Sequence, residues 1–199
     1  MENVIETIKY RGHEIKMSYD ECPMSPEEWE DNELFLVSYN NRELWVVPNG
    51  LEDKHDLLCR FSDGIYEDYY VFPVSIFSHS GVQLSFGNRG GWDWSNGWAF
   101  ILAHKDMCNT KDLAFSAASA LLKCWNEYLG GEVYCYEIDE SDCAGGYLGL
   151  DGYKDAISDA KSIIDTRIML YKKKFLDRKK IEIKHRIPLE KRKCWTFKD

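Results

Sequence analysis

A chain of 199 residues can bury a substantial core, and its seven Trp, twelve Tyr and nine Phe exclude the aromatic-poor disordered class. No stretch approaches the roughly 20 apolar residues that a membrane-spanning helix requires. The net charge of −9 conceals a division: residues 166–199 hold thirteen Lys or Arg against four acids (+9), which leaves 1–165 with twelve cations against thirty acids (−18). An acidic body of this kind repels nucleic acid and attracts basic proteins, while the tail does the opposite. The composition therefore predicts an acidic domain over 1–165 followed by a basic helical C-terminal extension over 166–199.

The N-terminus, Met1-Glu2-Asn3-Val4, lacks the basic-then-apolar signature of a secretory signal. The seven cysteines (Cys22, Cys59, Cys108, Cys124, Cys135, Cys143 and Cys194) are odd in number, show no C-x-x-C spacing and accompany no N-x-[ST] sequon. Reduced thiols in a cytoplasm are the economical reading.

Residues 4–10 and 13–19 alternate apolar and polar side chains around Arg11-Gly12, which predicts a β-hairpin with one wet face. The stretch Asp20–Asn32 contains Pro23 and Pro26 and reads as an ordered acidic loop, in which Ser25 and Pro26 can start one helical turn. Strands are expected at 34–39, 43–47, 69–77, 82–86 and 97–103, with Pro73 making 69–77 an edge or bulged strand. The Gly- and Asn-rich segment 87–96 reads as a long turn. Residues 110–129 predict a helix, capped by Asn109 or Thr110 and stopped by Gly130-Gly131, with Leu113, Ala117, Ala120, Leu121, Cys124 and Leu129 as its apolar stripe. A strand over 132–138 precedes a surface loop through the Gly-rich 144–152. A second helix is expected from about Tyr153 to about Arg186, with Ala156, Ile157, Ala160, Ile164 and Ile168 on one face. Past Tyr171 its stripe thins, so that portion is expected to project or to pack on a partner. The fold class is thus α+β: an antiparallel sheet packed against one or two helices, with a long basic C-terminal helix.

No reaction can be read from the motifs. His79-Ser80-Gly81, with His104 as base and Asp93 as orienting acid, supplies the residue types of a hydrolase triad but lacks the G-x-S-x-G elbow. His13, His55, His79, His104 and His185 show no metal-ligand spacing, and no calcium loop or phosphate-binding loop is present, so no metal and no cofactor are expected. Binding residues are easier to name. Acidic and aromatic contacts for a partner are expected from Asp20, Glu21, Glu27, Glu28, Trp29, Glu30 and Asp31, and from Trp92 and Trp94, which can be either core cover or interaction anchors. A second, cationic surface for an effector or for nucleic acid is expected from Lys172, Lys173, Lys174, Arg178, Lys179, Lys180, Lys184, Arg186, Lys191, Arg192 and Lys193.

The order Tyr10-Arg11-Gly12, Tyr19-Asp20-Glu21, Ser25-Pro26-Glu27-Glu28-Trp29, His79-Ser80-Gly81, Trp92-Asp93 and Gly131-Glu132-Val133-Tyr134 resembles a family of small acidic proteins encoded by phages, plasmids and integrated elements. The likeness covers residues 5–165 and excludes the basic tail. It implies an accessory protein acting in a host cytoplasm, similar to anti-CRISPR or anti-restriction proteins. Such a protein is a non-enzymatic inhibitor that binds a bacterial defence effector, for instance a Cas9-type nuclease, and no membrane. The other readings are a nonspecific nucleic-acid-binding factor and a hydrolase using His79 or His104.

Overall fold

The computed structural model describes residues 4–28, 33–40, 42–47, 65–66, 68–185, 188 and 191. In chain order the strands are β1 (Val4–Tyr10), β2 (His13–Tyr19), β3 (Leu34–Asn40), β4 (Leu44–Val46), β5 (Ile65–Tyr66), β6 (Tyr69–Ser78), β7 (Val82–Phe86), β8 (Trp94–His104), β9 (Val133–Ile138) and β10 (Asp142–Leu148). The helices are α1 (Lys111–Leu129) and α2 (Gly149–Lys184), and a 3-10 turn covers Pro26–Glu28. The fold is α+β, with two antiparallel sheets and two α-helices among the described residues. The chain forms two compact units, Met1–Glu21 with Val133–Asp199, and Cys22–Glu132. The second is thus inserted between β2 and β9, two adjacent strands of the first.

The first unit holds the sheet β1-β2-β9-β10. The expected hairpin forms over the expected residues, because Arg11 (φ 49°) and Gly12 (φ 84°) take the left-handed conformations that a two-residue hairpin turn demands. Asp139 (φ 50°) and Glu140 (φ 57°) are left-handed as well, in a three-residue connection between β9 and β10 where the Ser141 N–H donates to the Ile138 carbonyl at 3.0 Å and Ile138 pairs with Asp142. Helix α2 buries Ala156, Ala160 and Ile164 against Ile15, Met17, Tyr136 and Ile138, with Ile157 and Ile168 at the margin. This is the expected stripe. The small alanines let the helix lie close to the sheet. The helix is longer than expected at its start, and its last residue is followed by a His185 cap. The change of charge at 165/166 falls in its interior.

The Gly-rich segment 144–152, expected as a surface loop, is instead strand β10 followed by the first turn of α2. The ladder pairs Ala144 with Tyr136 and Tyr147 with Tyr134, so Gly145 and Gly146 together oppose Cys135 in a bulge. Gly146 supplies the positive φ of 83°. Its N–H donates to the Asp20 carboxylate at 3.0 Å, and a Cβ on Gly145 would collide with that same carboxylate. The glycines mark a bulged strand, not the absence of one.

In the second unit the sheet order is β4-β3-β8-β6-β5, with β7 also on β6. One face buries Leu36, Phe72, Val74, Ile76, Ala99 and Ile101 beneath α1. The opposite face clusters Val37, Tyr39, Val71, Phe100 and Leu102. Burial on both faces explains why β3, β6 and β8 read as continuous apolar runs instead of alternating. Thr110 caps α1, its Oγ1 accepting from the Leu113 N–H at 3.3 Å, and Gly131 (φ 71°) follows its end. The expected stripe of α1 is displaced: Ala114, Ala118, Leu121 and Trp125 are buried, while Leu113 is 57% exposed. Alanine allows close packing on the sheet, and the large Trp125 fills what the small residues leave. Strand β6 is bulged as expected, with a register shift between Val74 and Ile76 against β8. The Pro73 carbonyl accepts from the Gly87 N–H at 3.0 Å. The backbone groups of Pro73 therefore point toward the end of β7, where the ladder stops, so the missing N–H costs no bond to β8.

Candidate interaction surfaces

Strands β7 and β8 flank β6 on opposite sides, so the connection 87–93 must cross over β6. The crossing is bolted down. The Ser75 hydroxyl, wholly buried, bonds to the Gly87 carbonyl and the Asn96 side chain. Asn96 accepts from the Arg89 N–H at 3.0 Å and donates to the Arg89 carbonyl at 2.8 Å, and Arg89 Nε donates to Ser85 at 3.0 Å. The Ser78 N–H closes the far end on the Asp93 carbonyl at 3.0 Å. Within this pinned segment Trp92 is 103% exposed. A tryptophan wholly in solvent on a backbone fastened in this way fits the anchor role more than core cover. Trp94 does the reverse: it is half-buried, its ring 5.1 Å from that of Phe77. The sequence reading passed over Trp45, which is 59% exposed and packs edge-on against Tyr39. Its signal was the alternation Leu44-Trp45-Val46, which turns the middle residue away from Val46, a member of the α1-side cluster.

The unit boundary falls within the acidic loop. Asp20 is half-buried and occupied by Gly146; it and Glu21 belong to the first unit, whereas Glu27 and Glu28 belong to the second. Glu27 and Glu28 are exposed on the 3-10 turn. Ser25 and Glu28 form a reciprocal cap, the Ser25 N–H donating to the Glu28 carboxylate at 2.8 Å and the Glu28 N–H to the Ser25 carbonyl at 2.9 Å. Trp29, Glu30 and Asp31 lie outside the described residues.

The cationic surface is the C-terminal half of α2. Its packing on the sheet ends near Ile168, after which Lys172, Lys173, Lys174, Lys180 and Lys184 are exposed. Glu182, 5% exposed, pairs within the helix with Lys179 at 3.1 Å and Arg178 at 3.5 Å, which draws its carboxyl below the usual range, the Lys179 hydrogen bond first. Lys180 reaches Asp177 at 3.8 Å. Among the described residues Lys172, Lys173, Lys174 and Lys184 form no ion pair. Lys191 is exposed; Arg186, Arg192 and Lys193 lie outside the described residues.

The histidine constellation does not assemble. His79 Nδ1 lies 3.6 Å from Asp93, but His104 ends β8 while Asp93 immediately precedes it. At about 3.3 Å per residue the strand separates the two by roughly 35 Å. His104 Nδ1 instead accepts from the Asp106 N–H at 3.2 Å. Among the described residues no group of three His, Cys, Asp or Glu is placed to hold a metal ion, and no helix is long and apolar enough to cross a membrane.

What holds α2 to its sheet is partly polar. Asp159 Oδ2 accepts from Tyr136 at 2.9 Å and from Tyr147 at 2.7 Å. Tyr153 donates to Glu6 at 2.7 Å, and Arg11 pairs with Asp165 at 3.0 Å. Burial and then the Asp159 hydrogen bond push the Tyr136 and Tyr147 phenols upward, and burial with the Glu6 bond takes Tyr153 to about 12. These groups lock the helix without leaving a reactive phenolate at neutral pH. Comparison with known proteins finds no matching family model, no matching curated protein and no matching solved structure.

Proposed function

We propose that this chain is a non-enzymatic binding protein that inhibits a bacterial defence nuclease, of the anti-CRISPR or anti-restriction type, in the host cytoplasm. It docks on the effector, for instance a Cas9-type nuclease, through charged surfaces. The observation that carries this reading is the exposed row Lys172, Lys173 and Lys174, which forms no ion pair among the described residues. The −18 of residues 1–165 supports it, since a field of that sign steers the protein toward the cationic groove of a nucleic-acid-handling enzyme. The fully exposed Trp92 adds an apolar anchor in the second unit. The test is charge reversal of Lys172, Lys173, Lys174, Lys179 and Lys180, followed by binding to the nuclease and by its cleavage assay. Loss of both supports the reading, and unchanged binding with unchanged inhibition removes the helix from the mechanism.

The same lysines favour a second reading, nonspecific nucleic-acid binding through phosphate contacts. Its test is a salt titration of DNA binding, because counterion release makes such affinity strongest at low salt. Absence of binding at about 50 mM salt rejects it.

A further inference from the structure

Helix α2 carries a second face, opposite the one that packs on its sheet. In its N-terminal half, Ser158, Ser162 and Thr166 stand at four-residue spacing beside the row Lys161, Asp165 and Met169, and together these six line a groove of about 400 Å³. In its C-terminal half the same face continues as Met169, Leu176 and Ile183, which are 62%, 55% and 62% exposed. Residues seven apart on a straight helix drift by only about 20°, so the three apolar side chains form one seam in line with the groove. Charge along this face is polarised. Asp151, Asp155 and Asp165, the last paired with Arg11, outnumber Lys154 and Lys161 in the N-terminal half, whereas Lys172, Lys173 and Lys180 stand in the C-terminal half.

We infer that the partner of this face is a second copy of the chain, packed antiparallel along α2. A two-fold axis near residues 167 and 168 sets Thr166 against Met169 of the other copy. The same register sets Asp155 against Lys180 and Asp151 against Lys184, each pair occurring twice by symmetry. Leu176 then enters the low row between Ser158 and Ser162, a ridge of one helix in a groove of the other. A parallel pair would instead set lysine against lysine over the C-terminal half. Among the described residues neither Asp155 nor Lys184 forms an ion pair; Lys180 has its exposed contact with Asp177 at 3.8 Å and Asp151 its exposed pair with Lys154 at 3.1 Å, both of which the dimer contacts would supplement. The shared seam is about 50 Å long at 1.5 Å per residue. At a width of roughly 10 Å it covers about 1,000 Å² in the pair, below the roughly 1,200–2,000 Å² of standard specific interfaces and in the range of weak, transient ones. This inference does not depend on the proposed effector, since it is measured on the chain alone.

The experiment is sedimentation velocity of the full chain across about 1–200 µM, with circular dichroism to establish that each variant is folded. The wild type is expected to move from monomer to dimer over that range. Leu176→Glu is expected to abolish dimerisation while keeping the helical signal, because Leu176 is exposed beyond the sheet-packed stretch. Asp155→Lys and Lys180→Glu are each expected to weaken the dimer about tenfold, and the double variant to restore it, because two like-charge contacts become two opposite-charge contacts again. A wild-type chain that stays monomeric at the highest concentration overturns the inference. So does a Leu176→Glu variant that dimerises as the wild type does, or a double swap no tighter than either single change.

Discussion

Asn126 gives the fold its sharpest test. Strand β7 pairs with β6 on one side, and its other edge would expose backbone groups to solvent or to another chain. The Asn126 amide of α1 fills that edge: Oδ1 accepts from the Leu84 N–H at 2.7 Å and Nδ2 donates to the Leu84 carbonyl at 3.0 Å. One side chain thereby stands in for a strand. Leu84 is 2% exposed, so water is a poor substitute. Two hydrogen bonds at about 1 kcal/mol each, with buried groups left unpaired, set the loss for Asn126→Ala at about 2–3 kcal/mol. For a unit spanning Cys22–Glu132, that corresponds to a fall in Tm of roughly 9–13 °C. Asn126→Asp is more diagnostic. At neutral pH it keeps the acceptor for the Leu84 N–H but sets a second acceptor against the Leu84 carbonyl. Protonation restores a donor, so the folded pKa of the introduced carboxyl is raised, and the variant regains stability as pH falls through that value. Thermal unfolding at pH 7 and pH 4.5, with amide exchange at Leu84, reads all of this. An alanine variant within about 0.5 kcal/mol of wild type, or an aspartate variant insensitive to pH, refutes the reasoning.

Trp92→Ala is expected to leave Tm within about 1 °C yet to weaken partner binding by about thirtyfold, as measured by calorimetry on the effector. Leu121→Ala is expected to cost about 2–4 kcal/mol in urea unfolding and Leu113→Ala less than about 1, since the first is 7% and the second 57% exposed. Asp139 accepts from the Glu14 N–H at 2.9 Å and from His13 at 2.5 Å, and its carboxyl is held below its ordinary range, the Glu14 bond first. Its contribution is therefore present above the unfolded carboxylate pKa and lost as pH falls through the depressed folded value. Asp139→Asn is expected to flatten the acid limb of a Tm-against-pH curve. Tyr147 lies on the opposite side of the scale. Its phenol is raised, so its bond to Asp159 holds below pH of about 10 and weakens as pH rises through the folded value. Asp159→Asn is expected to lower the alkaline titration midpoint followed by ultraviolet absorbance.

Local rules made the first hairpin, the cap and stop of α1, and the sheet-facing stripe of α2 readable from the chain. Arg11-Gly12, Thr110 and the 156-160-164 spacing act within a few residues of themselves. The displaced stripe of α1 was not readable in that way. Leu113 and Phe115 are more apolar than Ala114 and Ala118, and only the need for a close approach to a flat sheet selects the alanines. The bulged β10 was hidden for a similar reason: Gly145 and Gly146 resemble a loop until Asp20, 125 residues upstream of Gly145, is placed against them. Of the candidate surfaces, the lysine row of α2 was legible as composition. The exposure of Trp92 depends on a crossover fastened by Ser75 and Asn96, which no periodicity reveals. The insertion of one unit between two paired strands of another was equally silent, since sequence distance carries no sign of which strands neighbour each other.

Helix physics explains only part of the basic tail. Cations near a helix C-terminus are stabilised by the backbone dipole, but the effect fades beyond the last turn. That accounts for Lys184. Arg178 and Lys179 have their own reason in the buried Glu182. Lys172, Lys173 and Lys174 have neither: they stand ten or more residues before the end of α2 and repel one another. A cluster that the fold itself does not use is the part of the chain most in need of a partner. The two explanations separate experimentally. Glutamate at Lys179 and Lys184 should lower helix stability with modest effect on effector binding. Glutamate at Lys172, Lys173 and Lys174 should leave stability the same or higher and abolish binding. If the second set costs stability and spares binding, the tail is a structural element, and the search for the functional surface moves to Trp92.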